Sequence, residues 1–430
     1  MKVSRPDRLE AIAAAALERR CPVYLLIIAT KPCYIKLASL VKVLRERAIP
    51  TLVIDAGQHY DSVLVGAAQE FSYVDEIDIF LEIRGTLLAR TGALALQTER
   101  LHEHLSSRWA ALRFVPIVSG DTSTSGTFPI FWYLQTGIRT IHVEAGLRSQ
   151  SPFDAAEPPS FDSIVGQTNA PWHVVADEPF PEGADTRLTS VVSSLLLAPV
   201  QRNVDSLLAE GYSPRLIRTT GSLSADAVRL ARPEFAAHDI ARLHPELDAD
   251  RRWLRVDIHR RENMTLARLR AVVGALCRLA GEGLSIIFIV TNQFRFAMKR
   301  HSGEDFLGRL TRAGVHCHDL WPSYLDVVAF LASERCLALY TDSGGLQEEA
   351  QVLGVPCMTC RFSTDRPETI LDTDGNLLIP PVESALIARA IAWRLGRSQR
   401  ARPGEERPLL YGDHVAESIA GHLASTLDLQ

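Results

Sequence analysis

Short, fully apolar runs alternate along this chain with longer amphipathic ones. CPVYLLIIAT (21–30), TLVIDA (51–56), RFVPIVSG (113–120), TIHVEAG (140–146) and WHVVAD (172–177) read as strands, and IKLASLVKVLRERA after the first reads as a helix. The rhythm restarts after about residue 215 with LIRTTG, WLRVDIH, LSIIFIVT, CLALYT and VPCMTC, and with the helical RLRAVVGALCRLAGEG. Strands that alternate with helices predict parallel sheets wrapped by helices. A chain of 430 residues has room for two such units. The expected fold is therefore α/β, with two Rossmann-like doubly wound domains facing across a cleft. Pro, Gly and Ser mixed through 179–213 place the boundary there: residues 1–205 form the first domain and 206–400 the second. Residues 401–430 carry a last helix expected to pack back on the first domain. Ligands of such sheets bind at the carboxyl ends of the strands.

Charge and composition narrow the partners. A formal net charge of -5 gives no general field for nucleic acid or acidic lipid, so an anionic ligand needs local groups. No apolar run approaches the length of a membrane span. MKVSRPDRLEAIAAAALERR is charged throughout, unlike a signal peptide, and reads as an amphipathic helix of a cytoplasmic protein. Seven cysteines scattered over the chain do not make a secreted disulfide framework. Cys357 and Cys360 form a CxxC downstream of His316-Cys317-His318, but the apolar VPCMTC context favours buried thiols, and no metal is expected.

The polar motifs follow the apolar runs. In TDSGGLQEEA (341–350), Ser343 is a natural N-cap, and Gly344 and Gly345 let an anion approach the first-turn N–H groups. Glu348 and Glu349 lie one turn later, where a carboxylate can accept hydrogen bonds from a diol. A ligand with phosphates at one end and a ribose at the other satisfies both. DIHRREN (257–263) brings His259 and Arg260 to another strand end, as donors for a diphosphate. The first half offers ATKPCYIK (29–36), GQHYD (57–61), SGDTSTSG (119–126) and IHVEAGLRS (141–149). Asp121 and Glu144 each stand just past an apolar strand, as proton-transferring carboxylates would. Spacing alone fits helix caps equally well.

Together these segments resemble the UDP-N-acetylglucosamine 2-epimerase family, a GT-B-fold family, in order along roughly residues 22–425. TGS (220–222) and STDRPE (363–368) complete the series. The resemblance implies that Ser343, Gly344 and Gly345 hold a UDP diphosphate, that Glu349 takes the ribose hydroxyls, and that His259 contacts the phosphates. It places Lys31 and Lys36 as a basic pair near phosphate and sugar, and Arg366 in a substrate loop. It also implies a cofactor-independent homodimer acting on a UDP-sugar. Such enzymes eliminate UDP across C1–C2 to give a glycal, then return UDP with C2 protonated on the opposite face. Asp121 and Glu144 match two of the carboxylates that move these protons.

Several positions depart from the family pattern. Its first loop carries Gly-Thr-Arg-Pro-Glu where this chain has Ala29-Thr30-Lys31-Pro32-Cys33, which keeps the charge and loses the guanidinium fork. The glycine before the HRREN histidine is Ile258. Family members carry Pro-Glu-Glu, a short apolar residue, Asn and Arg, with the first Glu as a third catalytic carboxylate. Counted back from Trp172-His173, that stretch falls on DAAEPPSFDS (154–163), where Glu157 is the candidate replacement, and residues 179–198 become an insertion. A hydrolysing enzyme, a GT-B glycosyltransferase and a silent nucleotide-sugar-binding protein stand as alternatives to the epimerase.

Overall fold

The structure, a computed structural model, describes residues 1–57, 70–71, 74–154, 156–176, 180–238, 240–245, 247, 250–397 and 409–427, without the side chains of residues 31, 32, 241, 243, 426 and 427. The chain forms two compact units. One comprises residues 1–147, 176–230 and 409–430, the other residues 148–175 and 231–408.

Strands are numbered in chain order. The first unit is built on an eight-stranded sheet of β1 (Lys2–Val3), β2 (Val23–Ile28), β3 (Thr51–Asp55), β4 (Ile79–Phe80), β5 (Phe114–Ser119), β6 (Thr140–Val143), β9 (Ser193–Ala198) and β10 (Ile217–Thr219). Their order is β1-β4-β3-β2-β5-β6-β9-β10, and every neighbour is parallel except β1, which runs antiparallel to β4. VYLLII of β2 is buried at every residue because helices cover both faces. The helix Val415–Leu427 closes one face: Val415, Ile419 and Leu423 pack with Leu26, Leu37 and Val41.

The second unit contains β7 (Gln150–Ser151), β8 (His173–Val174), β11 (Trp253–Asp257), β12 (Ser285–Val290), β13 (His316–Asp319), β14 (Cys336–Thr341) and β15 (Cys357–Thr359). The last five make a parallel sheet ordered β13-β12-β11-β14-β15, while β7 and β8 pair antiparallel by themselves. In both units the strand order reverses beside the first long strand, between β2 and β5 and between β11 and β14. Ligand sites of open α/β sheets form at such reversals.

Three segments differ from the sequence expectation. LIRTTG is β10, the edge of the first unit's sheet rather than the start of the second half. The stretch 179–198, expected as an insertion, contains the helix Glu182–Val191 and the inner strand β9, whose Leu196, Leu197 and Ala198 are fully buried. WHVVAD yields only two strand residues, and these belong to the small antiparallel sheet.

The cause is residues 148–175, which leave the first unit and fold on the second. Gln150 exchanges backbone hydrogen bonds with Thr364 at 2.8 and 2.9 Å. The Gln167 amide donates to the Leu378 carbonyl at 3.1 Å and accepts from the Leu378 N–H at 2.9 Å. Arg389 stacks over Phe161 at 3.7 Å. Within this segment Ser160 and Ser163 cap a short helix reciprocally, each side chain accepting the other's backbone N–H.

Candidate functional site

In the first unit the polar residues collect past the ends of β2, β5 and β6. The helix Lys31–Glu46 starts directly after β2 and carries Lys36 inward. Glu144 follows β6 in a left-handed conformation, φ 65°, a strained choice for a residue with a Cβ. That backbone delivers a carboxylate only 3% exposed. Its Oε1 accepts from Lys36 Nζ at 2.6 Å and its Oε2 from Ser119 Oγ at 3.3 Å. The turn is held by Gly146, φ 86°, where an added Cβ would lie 2.3 Å from the Asn203 carbonyl oxygen.

Asp121 follows Gly120 at the end of β5, half-buried, and Thr122 rather than Asp121 caps the next helix, Ser123–Thr136. The helix Glu182–Val191 packs beside it. Gly126 permits this approach, since a Cβ there would come within 2.9 Å of Asp185. Asp185 is buried and accepts from Ser123 Oγ at 2.9 Å. Burial foremost, then the neighbouring charge of Asp121, push its pKa up to about 6 against the opposing Ser123 hydrogen bond. Glu182, at the first turn of the same helix, is half-buried.

Asp185 has a consequence for stability. A carboxyl held at about 6 when folded binds its proton more tightly than in the unfolded chain. Stability falls as pH rises from about 4 to about 6, by on the order of 2–3 kcal/mol, and the deficit stays constant above that. Asp185→Asn should therefore raise the melting temperature at pH 7.5 and leave it nearly unchanged at pH 4. Equal melting curves for the two proteins at both pH values would contradict this.

In the second unit, Asp342 at the end of β14 is the organiser. It is fully buried and accepts from the backbone N–H of His259 at 3.0 Å, the N–H of Arg260 at 2.9 Å and Asn263 Nδ2 at 2.8 Å. One carboxylate thus fixes the whole HRREN turn at the end of β11. Ser343 caps the helix Gly344–Leu353, with Oγ accepting from the Leu346 N–H. A Cβ on Gly345 would meet nothing within 4 Å, and one on Gly344 would lie 3.4 Å from Asp365. The first turn of this helix can receive an anion. Glu349 is 9% exposed on the same helix, whereas Glu348 is fully buried and accepts from Arg366 Nε at 2.7 Å.

Arg366 itself is buried, and its Nη1 donates to Asp365 Oδ2 at 2.9 Å. Arg361 bonds the other oxygen of Asp365 at 3.0 Å. Burial would raise the Asp365 pKa, but Arg366 and Arg361 outweigh it and hold the carboxyl far below the usual range. These arginines build the loop in which Arg366 was expected to meet substrate.

Other expected residues fall elsewhere. Glu157 is exposed, in the segment that folds on the second unit, while Asp121 and Glu144 belong to the first. Lys31 opens its helix, and its side chain lies outside the described residues, as do residues 58–61 of GQHYD. Cys357 and Cys360 are buried, and burial pushes the Cys357 thiol up to about 12, as inert core thiols require.

Sequence reasoning missed Glu182 and Asp185. The signal was present: Pro181-Glu182-Gly183-Ala184-Asp185-Thr186 follows the family's Pro-Glu-Glu-apolar-Asn-Arg order at three of its six positions, Pro, Glu and the small apolar residue. It was hidden by the intervening segment 148–175.

A protein-family model described as UDP-N-acetylglucosamine 2-epimerase matches residues 174–424. The UDP-N-acetylglucosamine 2-epimerase of Methanocaldococcus jannaschii is 27% identical over 374 residues, 84% of this chain and 89% of that protein. The crystal structure of the Methanocaldococcus jannaschii enzyme with UDP-GlcNAc and UDP is similar at a TM-score of 0.74 and 24% identity, covering 94% of this chain and 99% of that one. The Neisseria meningitidis UDP-GlcNAc 2-epimerase bound to UDP-GlcNAc gives 0.75 at 22% identity, with the same coverage. The α/β fold is of the GT-B type.

Proposed function

Because the chain belongs to the UDP-N-acetylglucosamine 2-epimerase family, we propose that it inverts C2 of UDP-N-acetylglucosamine, giving the UDP-N-acetylmannosamine epimer by elimination and re-addition of UDP. The observation that carries this reading is the turn fixed by Asp342, which brings His259 and Arg260 to the same strand ends as the glycine-opened helix start at Ser343–Gly345. Donors at both strand ends suit a diphosphate leaving group. Glu349 takes the ribose hydroxyls. Glu349→Ala should weaken UDP binding at least tenfold by calorimetry, and an unchanged affinity would contradict the assignment.

The protons are assigned to the first unit. C2–H is not acidic, since no carbonyl adjoins it. Elimination removes the C2 proton to a carboxylate as the C1–O bond to UDP breaks, leaving a C1–C2 double bond. Return of the UDP oxygen to C1 with a proton delivered to the other face of C2 gives the epimer. Asp121 and Glu144 are the acid/base pair. Lys36 pairs with the buried Glu144 carboxylate at 2.6 Å, a charged donor beside the group that exchanges the proton. We assign the third carboxylate to Glu182 rather than Glu157. Glu182 sits in the first unit with the other two, on the helix that brings Asp185 to Ser123.

Cytosolic location and a homodimer belong to the same proposal. Among the described residues no helix is long and apolar enough to cross a membrane. Incubation with UDP-N-acetylglucosamine and separation of the nucleotide sugars tests the reading. A second UDP-sugar is expected. Release of free UDP alone would mark the hydrolysing chemistry, and unconsumed substrate would contradict both.

A further inference from the structure

The strand β11 reads Trp253-Leu254-Arg255-Val256-Asp257, and period-two alternation puts Trp253, Arg255 and Asp257 on one face, with His259 just beyond the strand end. Leu254, Val256 and Ile258 face the apolar core of the other side. An Arg and an Asp inside a central parallel strand break the apolar pattern such strands follow. Arg255 is 1% exposed and Asp257 6%.

Their contacts run in one direction. Arg255 Nη2 donates to Asp257 Oδ2 at 3.3 Å. The other oxygen, Oδ1, lies 3.5 Å from His259 Nδ1. Behind the pair, the Arg255 guanidinium sits 4.4 Å from the centre of the Trp321 ring, on which His244 also stacks at 4.1 Å. Arg255 Nε and Nη1 are buried and make no hydrogen bond among the described residues. A buried ion pair left so incompletely bonded costs about as much as its attraction returns, so it does not account for itself as a stabilising device. What it does supply is a rigid carboxylate oxygen aimed at an imidazole.

We propose that Asp257, braced by Arg255, is a positioning residue that aligns the His259 ring and holds it as a cation for a diphosphate. This rests on the reading that His259 acts on the UDP phosphates. Asp342 also lies 3.4 Å from His259 Nδ1, but its oxygens already accept from two backbone N–H groups and Asn263, so it fixes the turn. Among the described residues the Asp257 carboxylate instead meets only the side chains of Arg255 and His259. The groups facing the imidazole are thus Asp257 on its own strand, Asp342 from the end of β14 and, next in the chain, Arg260. Burial would lower the His259 pKa, and the two carboxylates outweigh both it and Arg260 and raise it.

The test needs no nucleotide for its first half. NMR titration of the labelled imidazoles, with His259 assigned by His259→Gln, should find it titrating above the ordinary value of about 6.5. Asp257→Asn should lower its proton affinity about tenfold. Calorimetry with UDP should then show the variant within twofold of wild type at pH 6 and at least fivefold weaker at pH 8. If the single variant does not fold, Arg255→Met/Asp257→Asn removes both charges of the pair, and the same shift of the His259 titration is expected, read without UDP because Glu349 also faces Arg255. An unmoved His259 titration would overturn the proposal. So would an affinity loss equal at both pH values, which would mark a merely structural role. Wild-type protein with the expected titration but no affinity for UDP would instead overturn the nucleotide reading on which the role depends.

Discussion

Glu144→Gln is expected to lower kcat by about 10²–10⁴-fold with the fold intact. The substitution preserves shape and can keep the Ser119 hydrogen bond, but it removes a buried carboxylate that faces Lys36 at 2.6 Å and can exchange a proton. The strained backbone at Glu144 points the same way. A left-handed residue other than glycine costs on the order of 1 kcal/mol or more, and here it aims a buried carboxylate past the end of β6. Steady-state rates on UDP-N-acetylglucosamine, with circular dichroism to check folding, decide it. A variant within fivefold of wild type would remove Glu144 from the chemistry.

The second large effect concerns stability. Arg366→Met should destabilise the second unit by about 3–5 kcal/mol, because it withdraws the guanidinium shared by two carboxylates, the fully buried Glu348 and the nearly buried Asp365. Glu348→Gln on that background should recover part of the loss, since Glu348 is the carboxylate that loses its Arg366 bond while Asp365 keeps that of Arg361. Urea unfolding of the three proteins measures both terms. A single variant within 1 kcal/mol of wild type would show that the buried pairs do not anchor this loop, and would return Arg366 to the role of a ligand-facing residue.

Much of this was legible along the chain because strand ends announce themselves. An apolar run that stops at Asp-Ser-Gly-Gly or Gly-Asp-Thr-Ser names both a strand and the polar groups at its rim, and β5, β11 and β14 were read that way. Lys36 and Glu144 were each found singly, but their pairing spans 108 positions, and no local pattern encodes it. The segment 148–175 was not legible for a related reason. Alternation identifies a strand without saying which sheet it joins, so WHVVAD was given to the wrong one. That misplacement shifted the register by which Glu157 was chosen and made an insertion of 179–198, where β9 and Glu182 lie. Arg255 and Asp257 are visible as charges in an apolar run, but only the fold buries both on one strand face and sets Asp257 3.5 Å from His259.

Proton NMR of the protein with UDP-N-acetylglucosamine in heavy water tests the central claim most directly. The account predicts deuterium at C2 of a sugar still attached to UDP, with the N-acetylmannosamine epimer growing in alongside it. A substrate that keeps its C2 proton under conditions where UDP binding is confirmed would contradict it.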